Sequence, residues 1–509
     1  MKLNNHSIWT VLICLMLIVA CNPDSRKTLN EEVENKPNIL FLFADDQRSS
    51  TINALGNSEV ITPNLDQLVK EGTTFVNTYI MGAMNGAVCS PSRAMVMTGR
   101  YLFNLDPTGQ TIDPAFVTVP KTLEKAGYHN YHVGKWHNGR DAFSRSFTDG
   151  GKIFFGGMHS HYGAPNWEYN AEKKYDDTTQ NPLSSKHSSE LYADAAIDFL
   201  ESYDGEYPFY MNVSFRAPHD PREMPQAYLD MYDDIDVQVP QNFMTEHPFD
   251  NGELDIRDEW LAAHPRTSSE VVANIKAYYA MITHLDEHIG RILKTLEDKG
   301  LADNTIVVFS SDNGLAVGQH GLMGKQNLYE HSIKVPLIFK GPGIEAGEKV
   351  EALTYLQDLY PTFCDYAAIN TPATVEGKSL KPSLSRSTNF NRESMFFAYK
   401  NFQRAARNDR WKIIKYNVEG KMKTQLFDLD NDPFETINLA EKEDYKEQLD
   451  LMEELLAEEM RLNNDKAKLG EPNWGVPVLP AWKDKNDPKA VERLRKMAQE
   501  ERKMRGYGS

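Results

Sequence analysis

The stretch Cys89-Ser90-Pro91-Ser92-Arg93 sets a thiol, a proline and a guanidinium within five residues. Proline has a fixed φ and no N–H, so Pro91 predicts a helix start at that point, with Ser90 as its N-cap. Cys89 then lies at the open, electropositive end of the helix, and Arg93 on its first turn adds a full positive charge. Such an end favours an anion, which points to chemistry on a sulfate or phosphate ester. Thr98-Gly99-Arg100 follows after a short apolar stretch. A lone cysteine can equally be a small buried hydrophobe. The assignment therefore turns on what else the chain delivers to the same place.

Four apolar, strand-like runs are each followed at once by polar residues. Asn38–Ala44 leads into Asp45-Asp46, and Tyr128–Val133 into Gly134-Lys135-Trp136-His137. Phe209–Phe215 leads into Ala217-Pro218-His219-Asp220, and Thr305–Ser310 into Asp312-Asn313-Gly314. In an open parallel sheet the carboxyl ends of the strands form the ligand crevice, so four distant segments converge there. Asp45, Asp46, Asp312 and Asn313 are hard oxygen donors with no thiolate or imidazole among them, a set that suits Ca²⁺ or Mg²⁺ rather than zinc. Paired carboxylates after a strand can also cap helices. A two-zinc phosphatase would want further histidines, and Asp312 is followed by Asn313. His284 and His288, one turn apart, read as the polar face of a long helix.

Together these motifs resemble the signature of the formylglycine-dependent sulfatases of the alkaline phosphatase superfamily, in which the cysteine of Cys-x-Pro-x-Arg is oxidised to an aldehyde after synthesis. The resemblance runs from about Asn38 to about Ala440 and takes in Gly-Lys-Trp-His, Ala-Pro-His-Asp-Pro and Gly-Leu-Met-Gly-Lys, the last ending in Lys325. It implies an alkaline-phosphatase-like fold and sulfate-ester hydrolysis. It also implies a metal site of Asp45, Asp46, Asp312 and Asn313, with the modified Cys89 as a further ligand to Ca²⁺ or Mg²⁺. The implied roles are a hydrated aldehyde at Cys89 as nucleophile and Arg93, Lys135 and Lys325 bracing the sulfate oxygens. His219 would be the acid for the leaving alcohol and His137 the base. Arg222 and His320, beside these motifs, are candidate substrate contacts. The motif style is similar to that of bacterial sulfatases acting on carbohydrate sulfates, with algal polysaccharides and glycosaminoglycans both open. A phosphomonoesterase or phosphodiesterase using an unmodified Cys89 is the alternative.

The elements that must position these groups read as α/β. The apolar run at Asn38–Ala44 suits a parallel strand buried on both faces. Thr62-Pro63 opens a helix through Leu65, Leu68 and Val69 that ends at Gly72, read as a C′ glycine. Helices are also predicted over Glu190–Ser202, with Leu191, Ala195 and Phe199 on one face, and over Ile275–Lys299, ending at Gly300. Strands alternating with helices predict a large, mostly parallel sheet sandwiched by helices. From about Gly377 the pattern changes. Arg404–Tyr416 and Thr424–Asp430 read as short strands, and Lys442–Leu462 as an acidic helix, giving a smaller antiparallel-sheet-plus-helix subdomain.

The 509 residues exceed one compact core. The expected division is a signal peptide over 1–20, a tether over 21–36, a catalytic domain over 37–376, a C-terminal subdomain over 377–464 and a charged tail over 465–509, read as surface-wrapping or partly disordered. Lys2 and the apolar run Ile8–Ala20 form the export signal. Leu17-Ile18-Val19-Ala20-Cys21 resembles a bacterial lipobox, which implies a lipid on Cys21, a membrane-attached protein of the cell envelope and periplasmic or surface exposure; a plain secretory signal is the alternative. With Cys14 removed, Cys21 lipidated and Cys89 modified, only Cys364 remains, in an apolar helical context, so no disulfide is expected. The net charge of −18 argues against nucleic acid and requires a local basic pocket for an anionic substrate. The implied partners are a sulfated carbohydrate and a formylglycine-generating maturation enzyme.

Overall fold

The computed structural model describes residues 36–506 except 107, 177–183, 386–391, 477–487 and 505. The expected signal, tether, Cys14 and Cys21 lie outside the described residues. All seven residues of the strand Asn38–Ala44 are buried. Its side chains alternate between two cores: Ile39, Phe41 and Phe43 join one, Leu40, Leu42 and Ala44 the other. The period of two thus places one apolar face against each helical layer.

This strand is the centre of a ten-stranded sheet. Thr305–Ser311 and Phe209–Ser214 flank it in parallel, His129–Lys135 lies parallel beyond Phe209–Ser214, and Asp149–Phe154 beyond that. Antiparallel strands close both sides, Leu337–Lys340 next to Thr305–Ser311 and Trp167–Tyr169 next to Asp149–Phe154. The expected mostly parallel sheet between helices is therefore present. The strand anticipated over Tyr128–Val133 runs on to Lys135. Gly134 allows this: its φ is +90°, and a Cβ there would lie 2.1 Å from the Ser214 carbonyl oxygen.

A second sheet has five strands. Lys421–Asp428, Trp411–Val418, Gln403–Arg407 and Met395–Tyr399 are antiparallel neighbours, but Met395–Tyr399 also pairs in parallel with Gly82–Ala83. The stretch anticipated as one strand over Arg404–Tyr416 is two. Asn408 turns the chain between them, its side-chain oxygen accepting from the N–H groups of Arg410 and Trp411 at 3.0 and 2.7 Å. The helix Lys446–Leu462 follows the sheet, and a further helix, Pro488–Met504, lies in the tail.

Three local expectations are corrected. The helix at the cysteine motif spans Cys89–Thr98, so Val88 rather than Ser90 is its N-cap residue and Pro91 is its third residue. The first turn of a helix tolerates proline because its N–H groups lack partners in any case. Gly72 ends the helix Pro63–Glu71 in an extended conformation, with φ −130°. A Cβ there would lie 2.1 Å from the Phe339 carbonyl oxygen, so glycine is required for close strand approach, not for a left-handed turn. His284 and His288 are not on a solvated face of the helix Ser268–Asp298. They are 3% and 6% exposed, because Ser188–Ser202 and Gln226–Asp230 cover that side. The two rings bond to each other, Nε2 to Nε2 at 3.0 Å. Cys364 is buried and free.

Candidate active site

The carboxyl ends of the four strands do meet. Asp45 follows Asn38–Ala44, and its Oδ2 accepts from Lys135 Nζ, at the end of His129–Lys135, at 2.5 Å. Asp312 follows Thr305–Ser311 and accepts from the Asp46 N–H at 3.1 Å through Oδ1. His219, beyond Phe209–Ser214, sets Nε2 3.6 Å from Asp46 Oδ2. Register between neighbouring parallel strands fixes these distances, since each strand stops at the same level of the sheet.

The helix Cys89–Thr98 brings its first turn to this rim. Cys89 is its first residue and only 2% exposed. The Cys89 Sγ lies 3.3 Å from His137 Nδ1 and 3.6 Å from Lys135 Nζ. One turn on, Arg93 donates to Asp312 Oδ2 at 2.8 Å, to the Lys135 carbonyl at 3.0 Å and to Ser214 Oγ at 3.2 Å. Lys325 donates to both oxygens of Asp46, and Asn313 Nδ2 to Asp46 Oδ1 at 2.7 Å. Asp46 and His137 both have φ of +69°, uncommon for residues with side chains. Such local strain is kept where surrounding structure imposes it, and here both residues face the site.

Electrostatically the site is a sealed charge cluster. Burial raises the proton affinity of Asp45, but the charges of Lys135, His219 and Arg93 outweigh it and hold the carboxyl well below its ordinary range. Burial and the neighbouring Asp45 push Asp312 up to about 7. Burial, with Lys135 and Arg93 nearby, keeps His137 well below 6.5 and therefore neutral. Burial also raises the Cys89 thiol, in spite of Lys135 and Lys325.

The residues present fit a metal ion. Asp45, Cys89 and Asp312 each bring a ligand atom within 4.8 Å of the others, as do Asp45, Asp46 and His219. Asp45 Oδ1 and Asn313 Oδ1 are buried acceptors without a hydrogen-bond donor. Buried oxygens of this kind are costly unless something positive meets them.

Two further anticipated residues are engaged with neighbours of their own. Arg222 is buried and donates to Asn274 Oδ1 at 2.6 Å. His320 stacks on Tyr329, with ring centroids 3.9 Å apart, and contacts Asn242 at 3.2 Å. Other contributors were not anticipated. Tyr278, on the helix Ser268–Asp298, donates to the Asp46 carbonyl at 2.6 Å. Its place between Ile275 and Ile282 on the inward face was the available signal. His161 bonds the His219 carbonyl through Nε2 at 2.8 Å, and Asp220 is gripped by Arg257. Nothing in the local sequence marks either.

An α/β sheet with a strand-end carboxylate cluster and a cysteine at a helix start defines a hydrolase of anionic esters. The chain belongs to the sulfatase family: the model described as Sulfatase matches residues 37–369, and one described as N-sulphoglucosamine sulphohydrolase, C-terminal, matches residues 318–462. It is therefore a sulfuric ester hydrolase. Among similar proteins is an N-acetylglucosamine-6-O-sulfatase of Bacteroides thetaiotaomicron, 27% identical, covering 91% of this chain and 92% of that one. An ulvan-active sulfatase of Formosa agariphila is 27% identical over 90% of this chain and 87% of its own. A solved structure of a complex with its substrate D-glucosamine-2-N,6-O-disulfate is 26% identical with a TM-score of 0.73, covering 87% of this chain and all of that one.

Among the described residues, no helix is long and apolar enough to cross a membrane.

Proposed function

We propose that this sulfatase removes sulfate from a carbohydrate, with Cys89 converted to formylglycine and a hard divalent cation, Ca²⁺ or Mg²⁺, held by Asp45, Asp46, Asp312 and Asn313. The observation that carries the reading is Cys89 at the helix start, with Lys135 and His137 against its Sγ and the buried carboxylates of Asp45 and Asp312 within reach of one shared ion. The carbohydrate assignment rests on the similar proteins, among them an N-acetylglucosamine-6-O-sulfatase, an ulvan-active sulfatase and a complex with D-glucosamine-2-N,6-O-disulfate.

The hydrate of the aldehyde supplies the nucleophile, and the bound cation supplies charge for the sulfate oxygens. Arg93, Lys135 and Lys325 hold the sulfate oxygens, where negative charge gathers in the transition state. His219, with Nδ1 turned to the Asp220 carbonyl, presents Nε2 to the leaving oxygen as its proton donor. His137, held neutral by burial, takes a proton at Nδ1 from the group at position 89. The chain would be matured by a formylglycine-generating enzyme and lipid-anchored at Cys21 in the cell envelope.

The test uses protein made with the maturation enzyme, its Cys89 peptide weighed and its rates taken on defined sulfated oligosaccharides, aryl sulfate and aryl phosphate. An aldehyde at position 89 with sugar desulfation is expected. Full activity with an intact thiol, or preference for phosphate, would overturn the reading.

A further inference from the structure

The tail helix Pro488–Met504 lies beyond both matched family regions, which end at Ile369 and Leu462. Its buried residues Leu494, Ala498 and Glu501 recur at i, i+4 and i+7, so they form one face. Two of them are apolar. The third is a carboxylate only 3% exposed, and a buried charge needs partners to offset its desolvation.

Those partners are beside the catalytic cluster. Glu501 Oε1 accepts from the Arg222 N–H at 3.1 Å. The Glu501 charge also faces Arg257, which grips Asp220 with both terminal nitrogens, Nη2 to Oδ1 at 2.9 Å. Asp220 adjoins His219, whose Nδ1 lies 2.7 Å from the Asp220 carbonyl oxygen and 3.5 Å from Oδ1. With Nδ1 engaged there, Nε2 is left facing Asp46. The tail helix is attached elsewhere too, through Arg502 to Glu270 at 2.7 Å and Arg495 over the Trp260 ring.

We infer that Glu501 is a positioning residue for His219: by holding the Arg222 main chain, two residues past Asp220, it fixes the segment that aims Nε2 at the leaving oxygen. This rests on the reading of His219 as proton donor. A tail outside the family models thus completes the acid side of the site.

The experiment compares, in the full chain, a sugar sulfate, whose alcohol needs a proton to leave, with 4-nitrophenyl sulfate, whose phenolate does not. General acids contribute about 10²–10⁴-fold, so Glu501→Ala should lower kcat on the sugar sulfate about 10-fold, with KM and the aryl rate within about twofold. Glu501→Gln, whose amide oxygen can still accept from the Arg222 N–H, should recover most of the loss. Arg502→Ala should leave both rates unchanged. If Glu501→Ala does not fold, Glu501→Asp gives the same comparison. Equal loss on both esters, no loss on either, or a Gln variant as impaired as Ala would overturn the inference. Wild type cleaving neither ester would instead overturn the sulfatase reading, and a His219→Ala variant losing both equally would remove the proton-donor role beneath it.

Discussion

Lys325 Nζ donates to both carboxylate oxygens of Asp46, at 2.7 and 2.9 Å, with both side chains buried. The loop after Thr305–Ser311 doubles back on itself, the Ala316 N–H donating to the Gly324 carbonyl at 2.9 Å, and so brings Lys325 to Asp46. Arg93, Lys135 and Lys325 stand against Asp45, Asp46 and Asp312, and a divalent cation would tip this balance to net positive, as an anionic substrate requires. Lys325→Met should lower kcat/KM on a sulfate ester about 100-fold, as loss of one transition-state donor does. It also leaves Asp46 without its cation. The fall in unfolding midpoint should therefore be larger in chelator than in Ca²⁺, a difference that calorimetry of both proteins reads directly. Equal falls in both conditions would speak against a cation at this site.

Cys89→Ser keeps approximate size but cannot become the aldehyde unless the maturation enzyme accepts serine. With an unmodified hydroxyl verified by mass, kcat should fall about 10³-fold or more, as when a nucleophile is removed. Sustained turnover by that verified variant would favour a conventional phosphatase-like nucleophile.

Gly134→Ala tests how the sheet delivers Lys135. The new Cβ would sit 2.1 Å from the Ser214 carbonyl oxygen at a φ of +90°, so the strands His129–Lys135 and Phe209–Ser214 must separate there. Arg93 bonds to the Lys135 carbonyl and to Ser214 Oγ, so both contacts move. A loss of about 2–4 kcal/mol of stability in denaturant, with most of the activity, is the expected outcome.

Acid should loosen the long helix. Burial, largest among the causes, holds His284 at about 3 and His288 at about 4, against 6.5 when exposed. The unfolded chain takes up protons on both below pH 6.5 and the folded one does not, so their contribution is complete above pH 6.5 and lost as pH falls toward 4. Asp286, raised by burial to about 6, works the other way between about pH 6 and 4, one carboxyl against two imidazoles. The unfolding midpoint should drop from pH 7 to 4.5. The drop should be shallower in His284→Gln/His288→Gln, and equal slopes would remove the pair as the cause.

The sheet, and which residues gather at its carboxyl edge, are legible in the chain itself. Apolar runs such as Asn38–Ala44 have one stable use, a strand buried on both faces, and polar residues placed just after them are carried to the sheet's carboxyl edge. Asp45, Lys135, His219 and Asp312 are legible for that reason, and Cys89 because a proline two residues on places it in the first turn of a helix. What the tertiary structure decided were the relationships that no local pattern encodes. His284 and His288 look like a polar stripe until Ser188–Ser202 covers them, and His320 lies beside a motif yet stacks on Tyr329. Arg257 and Glu501 reach the His219 segment from distant surface-like stretches. Periodicity reports which face of an element is buried; which charges meet across that face depends on long-range packing, and buried charges are settled only by the partners packing brings.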